Sequence, residues 1–399
     1  MSGQGGPARA VPFHEVLARW APDYLHTFGH AMPARQREVL VRLLKCRTPQ
    51  LGGSLYVCPH CGDSHFAYHS CNDRHCPCCG QNEADQWLAR QEQRLLLPVP
   101  YFLVTFTVPQ ALSHWIRSHP KLGYDLLFAA SARALQEVAG QPRRLNGSLG
   151  LLGILHTWSR TLLFHPHVHF LVPGGVLSRD GRQWRRSPKK FLVRVEPLSD
   201  RFRNGFRSLL ARRHPQALAK LPAKLWKQRW VTHSQPAGSG QNALRYLSRY
   251  VFKTATGDRH LRERADGRLL WPYRESDTGQ TRHLPLQPFE LIRRFLQHVL
   301  PRGYTRVRYF GWFHPSARLR LNRVRALLRQ NPLLTPAEQA AWLENPPKEP
   351  DPFTGYTDTL AHDLGPLCPR CHRPMELLAT WRAGDPPPGP GQRAPPKPP

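Results

Sequence analysis

The chain has 399 residues, with 57 Lys plus Arg against 27 Asp plus Glu and a formal net charge of +30 at pH 7. That excess is far more than an enzyme of small anionic metabolites needs; it argues against a small-molecule substrate and for a polyanionic partner, DNA foremost. An apolar share of 40% supports packed cores in roughly two or three domains and excludes a disordered chain. A host that favours Arg explains part of the basic excess but not the scarcity of acidic residues.

Phe13, Val16, Leu17, Trp20, Tyr24, Leu25 and Phe28 recur at helical spacing, and Ala34 to Leu44 predicts a second helix, giving a helical lead-in over residues 1–50. Residues 51–97 read as a metal-dependent, DNA-contacting module. From Tyr56 to Gly80 the chain is rich in Cys, His, Asn, Asp and Gly with too few aliphatics for a core, so metal must substitute for it. Ala84 to Leu97 closes the module as a helix with Trp87, Leu88, Gln91 and Leu95 along one side.

Residues 98–315 are expected to form the catalytic domain. Tyr101 to Pro109, Leu149 to Thr157 and Leu163 to Pro173 are strands by their β-branched and aromatic content, with Leu126 to Val138 a helix between the first two. The short link Trp158 to Leu162 makes a hairpin of the last pair. Ser199 to Lys220 and Ala243 to Lys253 are helical, with Ser234 to Gly240 between them as a flexible joint. The fold class is α+β, an antiparallel sheet flanked by helices.

Residues 304 to 314 read as an aromatic strand, and residues 316–383 as a basic helical carboxyl-terminal region. It holds a helix from Ala317 to Gln330 and another opened by the capping box at Thr335-Pro336-Ala337-Glu338 and running to Glu344. Residues 384–399 are a disordered Pro-rich tail. The first residues carry no apolar leader, and the longest apolar stretch, Leu95 to Phe106, is broken by Pro98 and Pro100. No membrane is expected, and a bacterial cytosolic, nucleoid-associated location is.

Nine cysteines in a reducing compartment argue for metal ligation over disulfides. Cys58-Pro-His-Cys61 and Cys76-Pro-Cys-Cys79 each have the two-residue gap by which paired thiolates grip a tetrahedral ion, so the expected ligands of one structural Zn²⁺ are Cys58, Cys61, Cys76 and Cys79. Cys71, His75 and Cys78 are surplus to that set, leaving room for ligand exchange or a second ion. Cys46 reads as a small packed residue. Cys368-Pro-Arg-Cys371 is half of a similar clamp whose partners the spacing does not identify.

The apolar run from Leu162 to Val172 contains His165, His167 and His169. On a strand side chains alternate faces, so His167 and His169 point the same way while Val168 packs behind them. Of possible third ligands, His156 on the preceding strand is the first choice and His165 the second. Phosphoryl chemistry usually employs Mg²⁺ or Mn²⁺ whereas imidazoles favour softer ions, and Mn²⁺ reconciles the two best. Tyr246 and Tyr250, four apart in a basic helix, share one face about 6 Å apart along the axis and can offer two phenols to one site. Arg249 and Lys253, three positions beyond each, are placed to stabilise a phenolate or a scissile phosphate. Together these residues point to metal-assisted cutting and rejoining of single-stranded DNA through a 5′-phosphotyrosine.

Several segments resemble one family, the two-tyrosine HUH transposases of the insertion-sequence 91 type. Ser70-Cys-Asn-Asp-Arg-His-Cys-Pro77 resembles its amino-terminal zinc module, Phe164-His-Pro-His-Val-His-Phe-Leu-Val-Pro-Gly-Gly175 its metal motif, Tyr246-Leu-Ser-Arg-Tyr250 its paired-tyrosine helix, and Tyr309-Phe-Gly-Trp-Phe-His-Pro-Ser316 a downstream segment. The resemblance implies an HUH-type sheet, His167 and His169 as metal ligands, Tyr246 and Tyr250 as alternate nucleophiles, and rolling-circle-like transposition of single-stranded element ends. A plasmid replication initiator or relaxase would use the same chemistry; the zinc module favours the transposase. A non-catalytic zinc-dependent DNA-binding protein leaves the polar His pair in an apolar strand unexplained.

Overall fold

The computed structural model describes residues 9–249, 251, 260–275, 277–328 and 366–388. Tyr250, Lys253, the helix expected from Thr335 to Glu344 and the tail from residue 389 lie outside them. Among the described residues no helix is long and apolar enough to cross a membrane. The chain divides into two compact units, one formed by Met1–Gly80, Thr256–Ala265 and Lys348–Pro399, the other by Gln81–Ala255 and Asp266–Pro347.

In chain order the elements are β1 (Arg9–Pro12), α1 (Phe13–Phe28), α2 (Ala34–Leu44), β2 (Gly52–Val57), β3 (Ser64–Tyr68), α3 (Gln81–Leu95), β4 (Tyr101–Thr107), α4 (Gln110–Ser118), α5 (Pro120–Ala139), β5 (Gly147–Ser148), β6 (Gly150–Trp158), β7 (Phe164–Pro173), β8 (Gly175–Ser178) and β9 (Trp184–Arg186). They continue with α6 (Val195–Arg213), α7 (Pro215–Lys220), β10 (Val231–Pro236), α8 (Gln241–Ser248), β11 (His260–Glu263), β12 (Leu269–Arg274), β13 (Thr281–Leu286), α9 (Pro288–Leu296), β14 (Val307–Gly311), α10 (Arg318–Leu327) and β15 (Glu376–Arg382). The paired strands run antiparallel, including those far apart in the chain such as β4 with β10 and β2 with β15, as is common in the α+β class.

In the first unit α1 buries Phe13, Val16, Leu17, Ala21 and Tyr24, and α2, which packs on it, buries Val39, Leu40 and Leu43. Strand β1 pairs with β11, and Arg19 of α1 bonds Glu263 of β11 at 2.9 Å. The remaining sheet has the order β15-β2-β3, so the strand nearest the carboxyl terminus pairs with one near the amino terminus. Its apolar core is small. Leu55, Ala379 and Trp381 are buried, with Phe66 and Tyr68 meeting the Trp381 ring edge-on at 5.8 and 6.0 Å. A linear division at residues 51–97 and 316–383 separates these strands, whereas pairing of β15 with β2 puts the Cys368 segment in the first unit.

The second unit is built on a five-stranded sheet of order β10-β4-β7-β6-β14. Strand β7 is central, and its alternation sets up both faces. Val168, Phe170 and Val172 point to one side, where they join Phe106, Phe128, Phe202, Phe206 and Trp230 under α5 and α6. Phe106 meets Phe170 and Phe202 edge-on at 5.8 and 5.0 Å. Each such ring, buried, contributes about 1.5–3 kcal/mol relative to exposure. Leu171 points to the other side, with Leu152 and Ile154 of β6, Trp87 of α3, and Leu244 and Leu247 of α8.

Three details differ from the sequence-based expectations. The helix expected from Ser199 to Lys220 is two helices, because His214 leaves the helical conformation (φ −155°) and Pro215 opens α7. The expected joint from Ser234 begins as edge strand β10, paired with β4 from Val231↔Thr107 to Pro236↔Phe102. Beyond it, Ala237 N–H donates to the Tyr101 carbonyl and Tyr101 N–H to the Gly238 carbonyl, both at 2.7 Å. The hairpin β12–β13 carried no clear sequence signal: Pro272 and Pro285 interrupt both of its strands.

Candidate active site and metal centres

Register brings three imidazoles together. His167 on β7 lies opposite His156 on β6, and His169 lies two residues further along the same face. Their ring centroids are 5.3 Å (His156–His167), 4.6 Å (His156–His169) and 4.8 Å (His167–His169) apart. One nitrogen from each lies within 4.8 Å of the others, which fits three ligands of one cation. His165 is exposed and offers its backbone carbonyl instead: His167 Nδ1–H donates to it at 2.7 Å, leaving Nε2 with its lone pair. His169 Nδ1 is engaged by the Thr105 hydroxyl at 2.8 Å. Hydrogen bonds of this kind fix ring orientation and free the other nitrogen for a metal.

His156 is 2% exposed and stacks on Trp158 at 4.8 Å. Burial, reinforced by the neighbouring His169 and His167 rings and by Arg306, holds its pKa well below the usual imidazole value. Burial followed by the His167 charge does the same for His169, and burial brings His167 down to about 4. The three rings are neutral near pH 7, the form that donates a lone pair. Thr105 carried no sequence signal; only the pairing Thr105↔His169 between β4 and β7 identifies it. Replacing Thr105 with Val is expected to weaken divalent-cation binding about 10–100-fold with the fold intact, read by Mn²⁺ titration calorimetry. Unchanged affinity would remove Thr105 from the site.

The tyrosine helix α8 sits beside this trio. Its Leu244 and Leu247 are buried, and Arg245 bonds Glu92 of α3 at 3.3 Å. Tyr246, on the opposite side and 43% exposed, meets the His169 ring edge-on with centroids 6.5 Å apart. Arg249 is exposed at the end of the helix. The helix opens at Gly240, whose φ of +82° suits glycine and whose missing Cβ would stand 2.6 Å from the Tyr101 ring. Gly240→Ala is therefore expected to cost about 2–4 kcal/mol, seen as a fall in Tm, and to shift Tyr246. A variant as stable as wild type would contradict this placement.

The cysteines form two groups rather than one. Cys46, Cys71, Cys76 and Cys79 have their sulfurs within 4.8 Å of one another, as do Cys58, Cys61, Cys368 and Cys371. The structure does not bring Cys58 and Cys61 to Cys76 and Cys79, and Cys46 is part of a cluster rather than a packing residue. Tetrahedral zinc with bonds of about 2.3 Å separates its sulfurs by about 3.8 Å. Cys71–Cys79 and Cys46–Cys76 are 3.8 and 3.4 Å apart, so this donor set fits the ion. Cys78 is in neither group. His75, fully buried, bonds the Asp73 carboxylate through Nδ1 at 2.7 Å, and Asp73 also accepts from the His75 backbone N–H at 2.9 Å, shaping the loop before Cys76. In the second group the backbone N–H of Cys61, and behind it that of His60, outweigh burial and lower the Cys58 thiol to about 7.

A family model described as "Putative transposase" matches residues 150–320, the stretch holding the three histidines and α8, and one described as "Transposase zinc-binding domain" matches residues 16–108. The chain is 34% identical over 391 residues to the "Putative transposase y4qJ" of Sinorhizobium fredii, covering 90% of this chain and 94% of that one. The chain belongs to the insertion-sequence 91 type of transposases. It is also 28% identical over 301 residues to the "Transposase for insertion sequence element IS801" of Pseudomonas savastanoi, covering 69% of each chain. No solved structure matches. The transposase is thus an enzyme acting on DNA with an amino-terminal zinc-binding domain, and family membership favours it over the initiator and the non-catalytic binder.

Proposed function

We propose that the transposase cuts and rejoins single-stranded DNA at element ends by tyrosine attack, His156, His167 and His169 holding a divalent cation and Tyr246 and Tyr250 serving as alternate nucleophiles. The position of the Tyr246 ring, edge-on to His169 at one flank of the histidine cluster, carries this reading. Mn²⁺ best reconciles imidazole ligands with phosphoryl transfer, and Mg²⁺ is the usual alternative for that chemistry. Held by these three rings, such a cation would supply Lewis-acid stabilisation to the charge that develops on the phosphate as the bond breaks.

The chain's own groups account for the rest. The Tyr246 oxygen bonds to phosphorus as the bond from phosphorus to the 3′-oxygen breaks. The phenol gives up its proton, the departing 3′-oxygen gains one, and the 5′-phosphate stays on tyrosine. Reversal with another 3′-hydroxyl rejoins DNA, and because one phosphodiester replaces another no ATP is consumed. Arg249, exposed at the helix end, and Lys253 supply positive charge to the phosphate. The +30 net charge accounts for the attraction of DNA, with rolling-circle-like transposition the process that uses two such transfers.

The test uses labelled single-stranded oligonucleotides carrying an element end, with Mn²⁺ or Mg²⁺, resolved on denaturing gels. Protein-linked DNA is expected, absent with chelator and absent in Tyr246→Phe/Tyr250→Phe. Adducts persisting in that double variant would refute the nucleophile assignment.

A further inference from the structure

Cys368 and Cys371 lie far outside residues 16–108, the stretch matched by the zinc-binding family model. Their sulfurs nevertheless meet those of Cys61 and Cys58 at 3.6 and 3.5 Å, across sequence separations of 307 and 313 residues. A disulfide has an S–S bond of about 2.05 Å, so four sulfurs at these mutual distances describe the corners of a thiolate tetrahedron rather than two bonded pairs.

The backbone supplies a second, independent observation. Cys58-Pro-His-Cys61 and Cys368-Pro-Arg-Cys371 fold into the same turn. In one, Cys58 N–H donates to the Asp63 carbonyl at 2.8 Å and Gly62 N–H to the Cys58 carbonyl at 2.9 Å. In the other, Cys368 N–H donates to Arg373 at 2.8 Å and His372 N–H to Cys368 at 2.9 Å. The residue after the second cysteine is left-handed in both, Gly62 at φ 72° and His372 at φ 56°. A left-handed backbone is uncommon for a residue with a Cβ, and here it holds the second turn in the shape of the first.

The surroundings fit a closed site. Cys58 and Cys368 are buried, Met375 and Tyr56 pack against them, and β15 pairs with β2 directly beyond the turns, Glu376 opposite Val57. The three-stranded sheet buries little apolar surface, so it needs another source of cohesion.

We propose that Cys58, Cys61, Cys368 and Cys371 bind a second structural Zn²⁺, separate from the ion of Cys46, Cys71, Cys76 and Cys79, and that this ion fastens the segment Leu367–Arg382 onto β2. The zinc module is then completed from both ends of the sequence. Four thiolates leave no open coordination position, so the ion does no chemistry on DNA.

Zinc content of the full chain, purified with a reductant and measured by plasma mass spectrometry, tests this. Two Zn²⁺ per chain are expected for wild type, one for Cys368→Ser/Cys371→Ser, one for Cys58→Ser/Cys61→Ser, and one for Cys71→Ser/Cys79→Ser. Hydrogen exchange supplies a control for folding. In Cys368→Ser/Cys371→Ser the amides of β15 should lose protection while those of β7 keep it. Co²⁺ substituted into Cys71→Ser/Cys79→Ser should show the strong visible bands of tetrahedral thiolate coordination. One zinc in wild type, two retained in Cys368→Ser/Cys371→Ser, iron in place of zinc, or a disulfide among the four cysteines in non-reducing mass spectra would each overturn the assignment.

Discussion

Replacing His169 with Ala is expected to lower formation of protein-linked DNA by about 10³-fold or more, and His167→Ala to do the same. The effect is electrostatic. A cation at a transferring phosphate contributes several kcal/mol of transition-state stabilisation, and about 4 kcal/mol corresponds to about three decades of rate. His167 and His169 stand on a central strand whose other face carries the Phe106–Phe170 packing, so removal of either ring leaves that core in place. His156 is buried and stacked on Trp158, so its loss should also lower Tm; the two strand histidines give the cleaner measurement. Adduct formation and Mn²⁺ affinity measured on the same preparations should fall together. Full activity in His169→Ala would exclude the histidine cluster as the reaction centre.

Tyr246→Phe is the second large effect. The substitution removes only the phenolic oxygen and keeps the ring that meets His169, so folding and metal binding should not change. Adducts mapped by peptide mass spectrometry should vanish from position 246, and joining of two strands should fall by about 10³-fold or more because two transfers need two phenols and Tyr246 is the one beside His169. Any remaining adduct should map to Tyr250. Wild-type strand joining in Tyr246→Phe would mean that the phenol beside His169 is not a nucleophile.

Parts of the site were legible because they depend on local geometry. Strand alternation alone puts His167 and His169 on one face with Val168 and Phe170 behind, and the alternation is unambiguous in so apolar a run. The third histidine was not decided locally. His156 and His165 both satisfied the sequence, and the register of β6 on β7, which sets His156 opposite His167, separates them: the His156 nitrogen joins those of His167 and His169, whereas the exposed His165 ring stays outside that group. Gly240 read as part of a flexible joint because glycine, serine and proline surround it; its conformation against the Tyr101 ring appears only once β4 and β10 are paired.

By itself the sequence determined the basic charge that suits DNA, the metal-dependent character of the cysteine-rich segment, the antiparallel α+β class and the histidine pair on its strand. All of these follow from composition or from spacings of a few residues, which fix what a short piece of backbone can present. Tertiary structure alone decided which cysteines share a site and that the Cys368 turn and β15 belong with the amino-terminal module. A two-residue gap tells how one pair of thiols grips an ion; the pair that completes the tetrahedron is chosen by strand pairing across some 310 residues of chain, a distance over which local sequence carries no information.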